Sequence, residues 1–137
     1  MLLNVKHNIS EIDRICSCVK EFCSSNNISE KKCYDISIII DELASNVINY
    51  AFEDPNEHEF FIKLEKEDDV VHIQILDDGI PFDPLEKSTP DLDLSLDERQ
   101  IGGLGIFFAR QLSKLMTYTR ADDKNQLDIL VSIEDEE

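Results

Sequence analysis

Residues 41–51 contain a carboxylate and two amides at the spacing of one helical face. Glu42, Asn46 and Asn49 follow an i, i+4, i+7 pattern, which places them on one line beside the apolar positions of the same segment. An amide oxygen can ligate a hard cation such as Mg²⁺, and the neighbouring carboxylate stays free to accept a proton from an attacking hydroxyl. The same pattern is also typical of the solvated face of an ordinary helix.

All four glycines of the chain fall in two short motifs. The first glycine motif, residues 77–84, places Asp77 at the end of a predicted strand with Gly79 two residues later. A carboxylate there could accept a hydrogen bond from an exocyclic amine such as that of adenine. The simpler interpretation is a strand-ending turn, in which Asp and Gly are common.

The second glycine motif, residues 101–106, opens a predicted helix with Gly102, Gly103 and Gly105. Exposed backbone amides at a helix start form an anion site, although a tight loop before a helix uses the same residues. The motif is not a Walker loop, because it lacks Gly-Lys-Ser/Thr. It is not a dinucleotide fingerprint either, because no strand leads directly into it.

The composition predicts one globular domain with a strong acidic excess. The 137 residues are 42% hydrophobic and 31% charged, and the formal net charge is -17. This charge argues against nonspecific binding to nucleic acid or to an anionic membrane face. It leaves open a docking surface for a basic partner, and it requires any nucleotide site to supply a metal ion and local donors.

The remaining composition predicts a cytoplasmic protein with reduced thiols. No apolar run approaches the ~20 residues of a membrane span, and the N-terminus lacks the pattern of a signal peptide. The four cysteines form no Cys-x-x-Cys pair, so we expect core thiols rather than a metal site. The three histidines show no metal-ligand spacing either.

Three helices are predicted around these motifs. Ser10 is the expected N-cap of the first helix, and Ser29 is the expected N-cap of a longer second helix that carries residues 41–51. A third helix follows Gly105, and we expect Phe108, Leu112 and Leu115 on its apolar face.

Strand-like alternation predicts the sheet that these helices cover. Residues 2–6 could form a short strand, residues 60–66 and 70–76 predict one hairpin, and residues 117–120 and 127–133 predict another. Helices and hairpins are segregated along the chain, which predicts an α+β sandwich with helices on one face of a mixed sheet. The segment between the first glycine motif and the third helix is a long loop, and such loops are usually functional.

The order of the three motifs resembles the GHKL ATPase superfamily of gyrases, large heat-shock chaperones, mismatch-repair ATPases and histidine kinases. The close match is to the anti-sigma factor serine kinases, and it covers nearly the whole chain. The matching segments are Glu42-Leu43-x-x-Asn46-x-x-x-Tyr50-Ala51, Asp77-x-Gly79-x-Pro81-Phe82-Asp83-Pro84 and Gly102-Gly103-Leu104-Gly105-Ile106, and Asn125 before the last strand also fits.

The resemblance implies a two-layer α/β sandwich, the cofactors ATP and Mg²⁺, and a small anti-sigma antagonist protein as the substrate. The chain would transfer the ATP γ-phosphate to a serine or threonine of that protein. A sigma factor is implied as a further regulatory partner, and a homodimer as the assembly. Direct contact with nucleic acid or membrane is not expected.

The resemblance also assigns roles to residues. Glu42 would be the general base, Asn46 would hold Mg²⁺, Asp77 would bind the adenine amino group, and residues 84–101 would form a lid over ATP. Gly79 would allow close approach to the nucleotide. The further expected nucleotide contacts are Asn49, Phe82, Arg99, Gly102, Gly103, Leu104, Gly105 and Ile106. The aspartate Asp128 stands where relatives usually place a threonine near the adenine.

Two other functions remain open at this point. The chain could be a partner-binding module whose affinity is gated by nucleotide without turnover. It could also be a stand-alone histidine-kinase catalytic domain, although such domains usually have Asn rather than Glu at the position of Glu42. They also need a phosphoacceptor helix, for which we expect no room in this chain.

Overall fold

The computed structural model describes residues 1–52, 54, 57–86 and 103–134. In these ranges, five strands and three helices follow one another in the predicted order, with two 3₁₀ turns and one π-helical turn between them. The elements are β1 (Leu2–Lys6), α1 (Ile12–Ser25), α2 (Glu30–Asn46), β2 (Glu59–Glu67), β3 (Val70–Asp77), α3 (Gly103–Leu112), β4 (Leu115–Ala121) and β5 (Lys124–Ser132). The 3₁₀ turns are Ile9–Glu11 and Pro84–Glu86, and the π-helical turn is Val47–Ala51.

The five strands form one sheet in the order β1-β2-β3-β5-β4. The predicted α+β sandwich is confirmed, but the pairings among the described strands are all antiparallel, not mixed. Both predicted hairpins form, at Asp68 and at Asp122 and Asp123, and these three aspartates have positive φ. Positive φ at both central residues of the second turn matches the turn type that suits twisted antiparallel strands.

One face of the sheet carries the core. Alternate residues of β2, β3 and β5 are buried, in agreement with the predicted period of two. Phe60 and Ile73 from the sheet belong to the same buried cluster as Ile36 and Ile40 from α2 and Val19 from α1. The helices therefore cover this face, which is the two-layer arrangement expected from the sequence.

One side-chain cap marks the start of α2, and another marks the start of the 3₁₀ turn before α1. Ser29 Oγ accepts a hydrogen bond from the Lys32 amide at 3.3 Å, which confirms the predicted cap of α2. The predicted cap at Ser10 is wrong, because Asn8 Oδ1 accepts the bond from the Ser10 amide instead. A 3₁₀ turn then leads into α1 at Ile12.

The buried face of α3 also differs from the prediction. Ile106 and Ala109 are buried, whereas Phe108 is 48% exposed and Leu115 lies in β4 at 52% exposure. The helix already begins at Gly103 and packs on α2, and the small Ala109 belongs to the core cluster. Leu112 is partly buried against the core, as expected.

Three of the four cysteines fit the prediction of core thiols: Cys23 is buried in the core, and Cys18 and Cys33 are partly buried against it. Cys16, Cys18, Cys23 and Cys33 are all free. Burial, with a contribution from neighbouring Cys33, raises the pKa of the Cys23 thiol to about 12. Within the described ranges, no helix has the length and apolarity that a bilayer crossing needs.

The two serines give a matched test of the caps. Ser29→Ala should lower the free energy of unfolding by about 1 kcal/mol, because it removes a side-chain cap. Ser10→Ala should change it by less than about 0.5 kcal/mol, because the Ser10 side chain is exposed and caps nothing. Urea unfolding followed by circular dichroism measures both, and equal losses would contradict the assignment.

Candidate functional site

A cavity opens where the end of α2 meets the ends of β3 and β5. Its lining is mainly apolar, with a few polar side chains at the strand ends. The lining residues are Leu43, Asn46, Val47, Tyr50, Ala51, Ile75, Asp77, Phe82, Pro84, Tyr118, Asn125 and Leu127. The structure therefore brings together the predicted site residues Asn46, Asp77 and Phe82.

The helix of residues 41–51 is not α-helical throughout. α2 ends at Asn46 and continues as the π-helical turn, whose wider winding rotates later residues away from the i, i+7 line. Asn49 is consequently exposed and does not line the cavity. His7 Nε2 contacts the Ile48 carbonyl at 2.5 Å, so a residue that looked unremarkable in sequence supports this turn.

Gly79 is required by the backbone of the π-helical turn. A Cβ built on Gly79 would lie 2.3 Å from the Ala51 carbonyl oxygen and 2.7 Å from the Ala51 Cβ. The Ile80 amide donates to the same Ala51 oxygen at 2.8 Å. The close approach expected at Gly79 is therefore made by the protein's own chain, and it joins the first glycine motif to the end of the α2 segment.

Asp77 is a buried carboxyl at the end of β3, only 8% exposed. Its Oδ1 accepts hydrogen bonds from the Gly79 amide and from Asn125 Nδ2, both at 2.9 Å. Burial raises the pKa of Asp77, and these two donors offset part of the rise. A carboxyl in this setting is well suited to bind a hydrogen-bond donor inside the cavity.

The β4–β5 hairpin contributes three residues to the site whose roles sequence reasoning did not assign. Asn125 reaches Asp77, Tyr118 OH donates to Asn125 Oδ1, and Arg120 Nη1 donates to the Gly79 carbonyl at 2.8 Å. One signal was available for Asn125: it is the polar member of the inward period-two set that continues with Leu127 and Ile129. Only the register across the hairpin brings Tyr118 and Arg120 close to it.

Asp128, which stands where relatives usually place a threonine near the adenine, does not line the cavity. It alternates to the face of the sheet away from the helices, where its Oδ1 contacts His72 at 2.9 Å and Gln74 at 3.0 Å. Hydrogen bonds from Gln126, Gln74 and His72 outweigh its burial and lower the pKa of Asp128. The β5 side chains that line the cavity are Asn125 and Leu127.

Glu42 lies against the start of α3. A Cβ on Gly105 would fall 1.9 Å from Glu42 Oε2, so any larger residue would require the carboxylate to turn away from its present position. Burial and then the charge of Asp41 raise the pKa of Glu42. Glu42 and Gly105 are 63 residues apart in the sequence, and their contact brings the helix motif and the second glycine motif together.

The rest of the second glycine motif is only partly described. Gly103 and Leu104 lie in the first turn of α3, and Ile106 is buried in the protein. Gly102 and Arg99 lie outside the described residues, as does most of the predicted lid at 84–101.

Asn46 carries the signature of a ligand-binding amide. Its Nδ2 is buried and finds no hydrogen-bond partner in the part of the chain that the structure describes. Buried amides are normally satisfied, so an unsatisfied one that lines a cavity indicates a ligand there. The described residues hold no cluster of three or more His, Cys, Asp or Glu for a metal. The unpaired Nδ2 is a donor and would meet an acceptor atom, whereas a metal ion would need the amide oxygen Oδ1 of Asn46.

Comparison with known proteins identifies the family. The sequence profile of the histidine kinase-like ATPase domain matches residues 6–131. The chain therefore belongs to the histidine kinase-like ATPase domain family, which confirms the GHKL resemblance. It is a kinase-type ATPase domain, and this fold implies a site for ATP.

A named relative and two solved structures agree with this assignment. The chain is 29% identical over 94 residues to the serine/threonine-protein kinase BtrW of Bordetella bronchiseptica, covering 69% of this chain and 66% of that protein. A Mycobacterium tuberculosis structure with RsbU and RsbW domains has a TM-score of 0.65 at 10% identity, covering 97% of this chain and 31% of that one. A blue-light activated histidine kinase of Erythrobacter litoralis has a TM-score of 0.59 at 15% identity, covering 90% and 41%. These structures share the fold.

Gly79 and Gly105 both lie close to other residues. We expect substitution by alanine to lower the free energy of unfolding by different amounts at the two positions. Gly79→Ala should lower the free energy of unfolding by about 1–3 kcal/mol, because the Ala51 backbone has no room to retreat. Gly105→Ala should cost less than about 1 kcal/mol, because the Glu42 carboxylate can rotate away and alanine favours a helix. Urea unfolding compares the two, and a larger loss at Gly105 would contradict this account.

Proposed function

We propose that this protein is an ATP-dependent serine/threonine kinase that phosphorylates a small anti-sigma antagonist protein. The observation that carries the proposal is the position of Glu42, whose carboxylate lies against Gly105 in the first turn of α3. In the family arrangement this turn presents amides to the ATP phosphates, so a base at this point is beside the group that is transferred.

The cavity supplies the nucleotide contacts. Asp77 accepts a hydrogen bond from the adenine amino group, and the apolar side chains of Leu43, Ile75 and Leu127 surround the base. The amides at the start of α3 face the phosphates, as is usual for helix N-termini. The net charge of -17 makes these local donors necessary for binding a polyanion.

Asn46 is the residue that would hold Mg²⁺. Its amide oxygen is a suitable hard ligand for Mg²⁺. Because the amide is neutral, it forms no ion pair with the nearby Glu42 carboxylate. The ion supplies charge neutralisation for the phosphates when it is bound.

Glu42 is suited to remove the proton of the substrate hydroxyl. A general base works best when its pKa approaches the working pH, and both burial and Asp41 move the pKa of Glu42 upward from 4.5. In the histidine-kinase pattern the equivalent position is usually Asn, which cannot serve as a base. The side chain at position 42 therefore favours serine or threonine as the acceptor.

The partners follow from the likeness to the anti-sigma kinases. BtrW is named a serine/threonine-protein kinase, and the shared fold with an RsbW domain supports the same branch of the family. We infer from this an anti-sigma antagonist as substrate, a sigma factor as regulatory partner, a homodimer and a cytoplasmic location.

The direct test is phosphate transfer from γ-labelled Mg-ATP into a lysate of the source cell. Glu42→Ala should reduce acid-stable label on one small protein by at least about 100-fold, because it removes the base. The same variant should keep nucleotide affinity within about threefold, as measured by calorimetry, because the base contributes to the chemical step rather than to ground-state binding. Asn46→Ala should weaken Mg-ATP binding itself. Asp35→Ala removes a carboxylate elsewhere on α2 and serves as the control.

Other outcomes distinguish the alternatives. Acid-labile label would identify a histidine-kinase activity. Bound nucleotide with no label would leave a nucleotide-gated partner-binding module. Normal transfer by Glu42→Ala would show that the base assignment is wrong.

The raised pKa of Glu42 gives a pH test with a definite sign. Transfer needs the ionised carboxylate, so the rate should fall as the pH drops through the pKa of Glu42. Asp41→Asn removes a charge that raises this pKa, so the acid limb of the rate profile should move to lower pH.

Asp35→Asn is the matched control for this experiment. It removes the same charge from α2 six residues earlier, and it should leave the acid limb where it is. A shift to higher pH in Asp41→Asn would contradict the assignment of that limb to Glu42.

A further inference from the structure

Two carbonyl groups at the end of the α2 segment are bonded by distant parts of the chain. The π-helical turn ends at Ala51, and the last four carbonyls of a helix have no partner within it. The Ala51 carbonyl accepts a hydrogen bond from the Ile80 amide at 2.8 Å. The Ile48 carbonyl lies 2.5 Å from Nε2 of His7, the residue that follows β1. Because a carbonyl only accepts, Nε2 of His7 carries a hydrogen and donates it.

The His7 side chain is held in this position from two sides. Its backbone amide donates to the His58 carbonyl at 2.8 Å. Its ring meets the ring of Phe52 edge-on with centroids 4.7 Å apart, and Phe52 in turn stacks on the ring of His58 at 4.1 Å. Phe52 directly follows the π-helical turn and has an extended backbone. The residue after β1 is thus fixed against both the middle and the end of this turn.

The hydrogen bond from His7 favours the π-helical winding over the α-helical one. In an α-helix the Ile48 carbonyl would accept from the amide of Phe52, four residues later. In the π-helical winding each carbonyl accepts from the fifth residue instead, so Phe52 is no longer the partner of Ile48. His7 supplies a donor for the carbonyl that loses this α-helical bond.

The winding of this turn determines which side chains face the cavity. Val47, Tyr50 and Ala51 line the cavity, whereas Ile48 is buried in the core. A return to α-helical winding would move the residues after Ile48 around the helix axis by about one position, or ~100°. Tyr50 and Ala51 would then leave the wall of the cavity, while Glu42 precedes the turn and would keep its place.

We propose that His7 is a positioning residue of the nucleotide site. Its hydrogen bond to the Ile48 carbonyl keeps residues 47–51 in the winding that places Tyr50 and Ala51 in the cavity wall. His7 itself does not line the cavity, so it acts through the turn. The inference rests on the proposed function, because it takes ATP as the ligand of this cavity.

The first test compares the Mg-ATP affinity of His7 variants by calorimetry. His7→Phe keeps a ring beside Phe52 but removes the donor, so the dissociation constant should rise at least about tenfold, as expected for the loss of a buried hydrogen bond. His7→Gln should restore the affinity to within about threefold, because its amide nitrogen can donate at about the reach of Nε2.

A kinetic measurement separates a change in the cavity wall from a general loss of structure. The initial rate of acid-stable labelling is measured in a desalted lysate at increasing concentrations of γ-labelled Mg-ATP. In His7→Phe the ATP concentration for half-maximal rate should rise about tenfold, whereas the rate at saturating ATP should stay within about threefold, because Glu42 lies before the turn. A fall in the saturating rate alone would overturn the inference.

His72→Phe is the matched control. It removes an imidazole that bonds to Asp128 on the face of the sheet away from the helices. The affinity for Mg-ATP should stay that of the unmodified protein. An equal loss of affinity in His72→Phe would attribute the effect to lower stability and would overturn the assignment to His7.

The outcomes separate this inference from the proposed function. If His7→Phe binds Mg-ATP normally, or if His7→Gln binds as weakly as His7→Phe, the inference is overturned while the proposed function stands. If His7→Phe does not fold, His7→Asn replaces it and must show the same loss, because its amide is too short to reach Ile48. Failure of the unmodified protein to bind Mg-ATP overturns both.

Discussion

The site depends on one contact between two stretches of backbone. Gly79 lies so close to Ala51 that no side chain fits between them, and the Ile80 amide donates to the Ala51 carbonyl. This contact joins the last turn of the α2 segment to the end of the central strand β3. Asn46 and Asp77 consequently line one cavity, although 31 residues separate them in the chain. A side chain at Gly79 would push these two layers apart.

A second close contact joins the other end of the site. Gly105 leaves room for the Glu42 carboxylate at the start of α3. The two glycine motifs thus act in the same way. In each motif a glycine, which has no side chain, lets a neighbouring part of the protein approach closely. Both contacts fall on the segment 42–51, which runs between the two motifs and carries the polar residues of the site.

Burial changes the acidity of the two carboxyl groups in the site. The pKa values of Glu42 and Asp77 are both raised because these groups are buried. Burial brings the pKa of Glu42 closer to the range in which a base is useful. At Asp77 the hydrogen bonds from Gly79 and Asn125 offset part of the effect of burial on the pKa. These bonds favour the ionised form of the carboxyl, which accepts a hydrogen bond.

The sequence by itself determined the elements, their order and the family. Period-two and helical patterns are local, so the strands, the cap at Ser29 and the order of elements could be predicted from neighbouring residues. The motifs around Glu42, Asn46 and Asp77 were also readable, because their residue types and spacing are specific. Residues 87–102 lie outside the described structure, so the predicted lid and Arg99 stay predictions.

Only the tertiary structure decided how these parts meet. Asn49 is exposed and does not line the cavity, and strand alternation sends Asp128 to the opposite face of the sheet. The capping side chain before α1 is Asn8 rather than Ser10, and it accepts its hydrogen bond at the 3₁₀ turn that precedes the helix. The roles of Asn125, Tyr118 and Arg120 depend on which strands pair and in what register. Register is set by contacts across the whole sheet, and no single segment of sequence contains it.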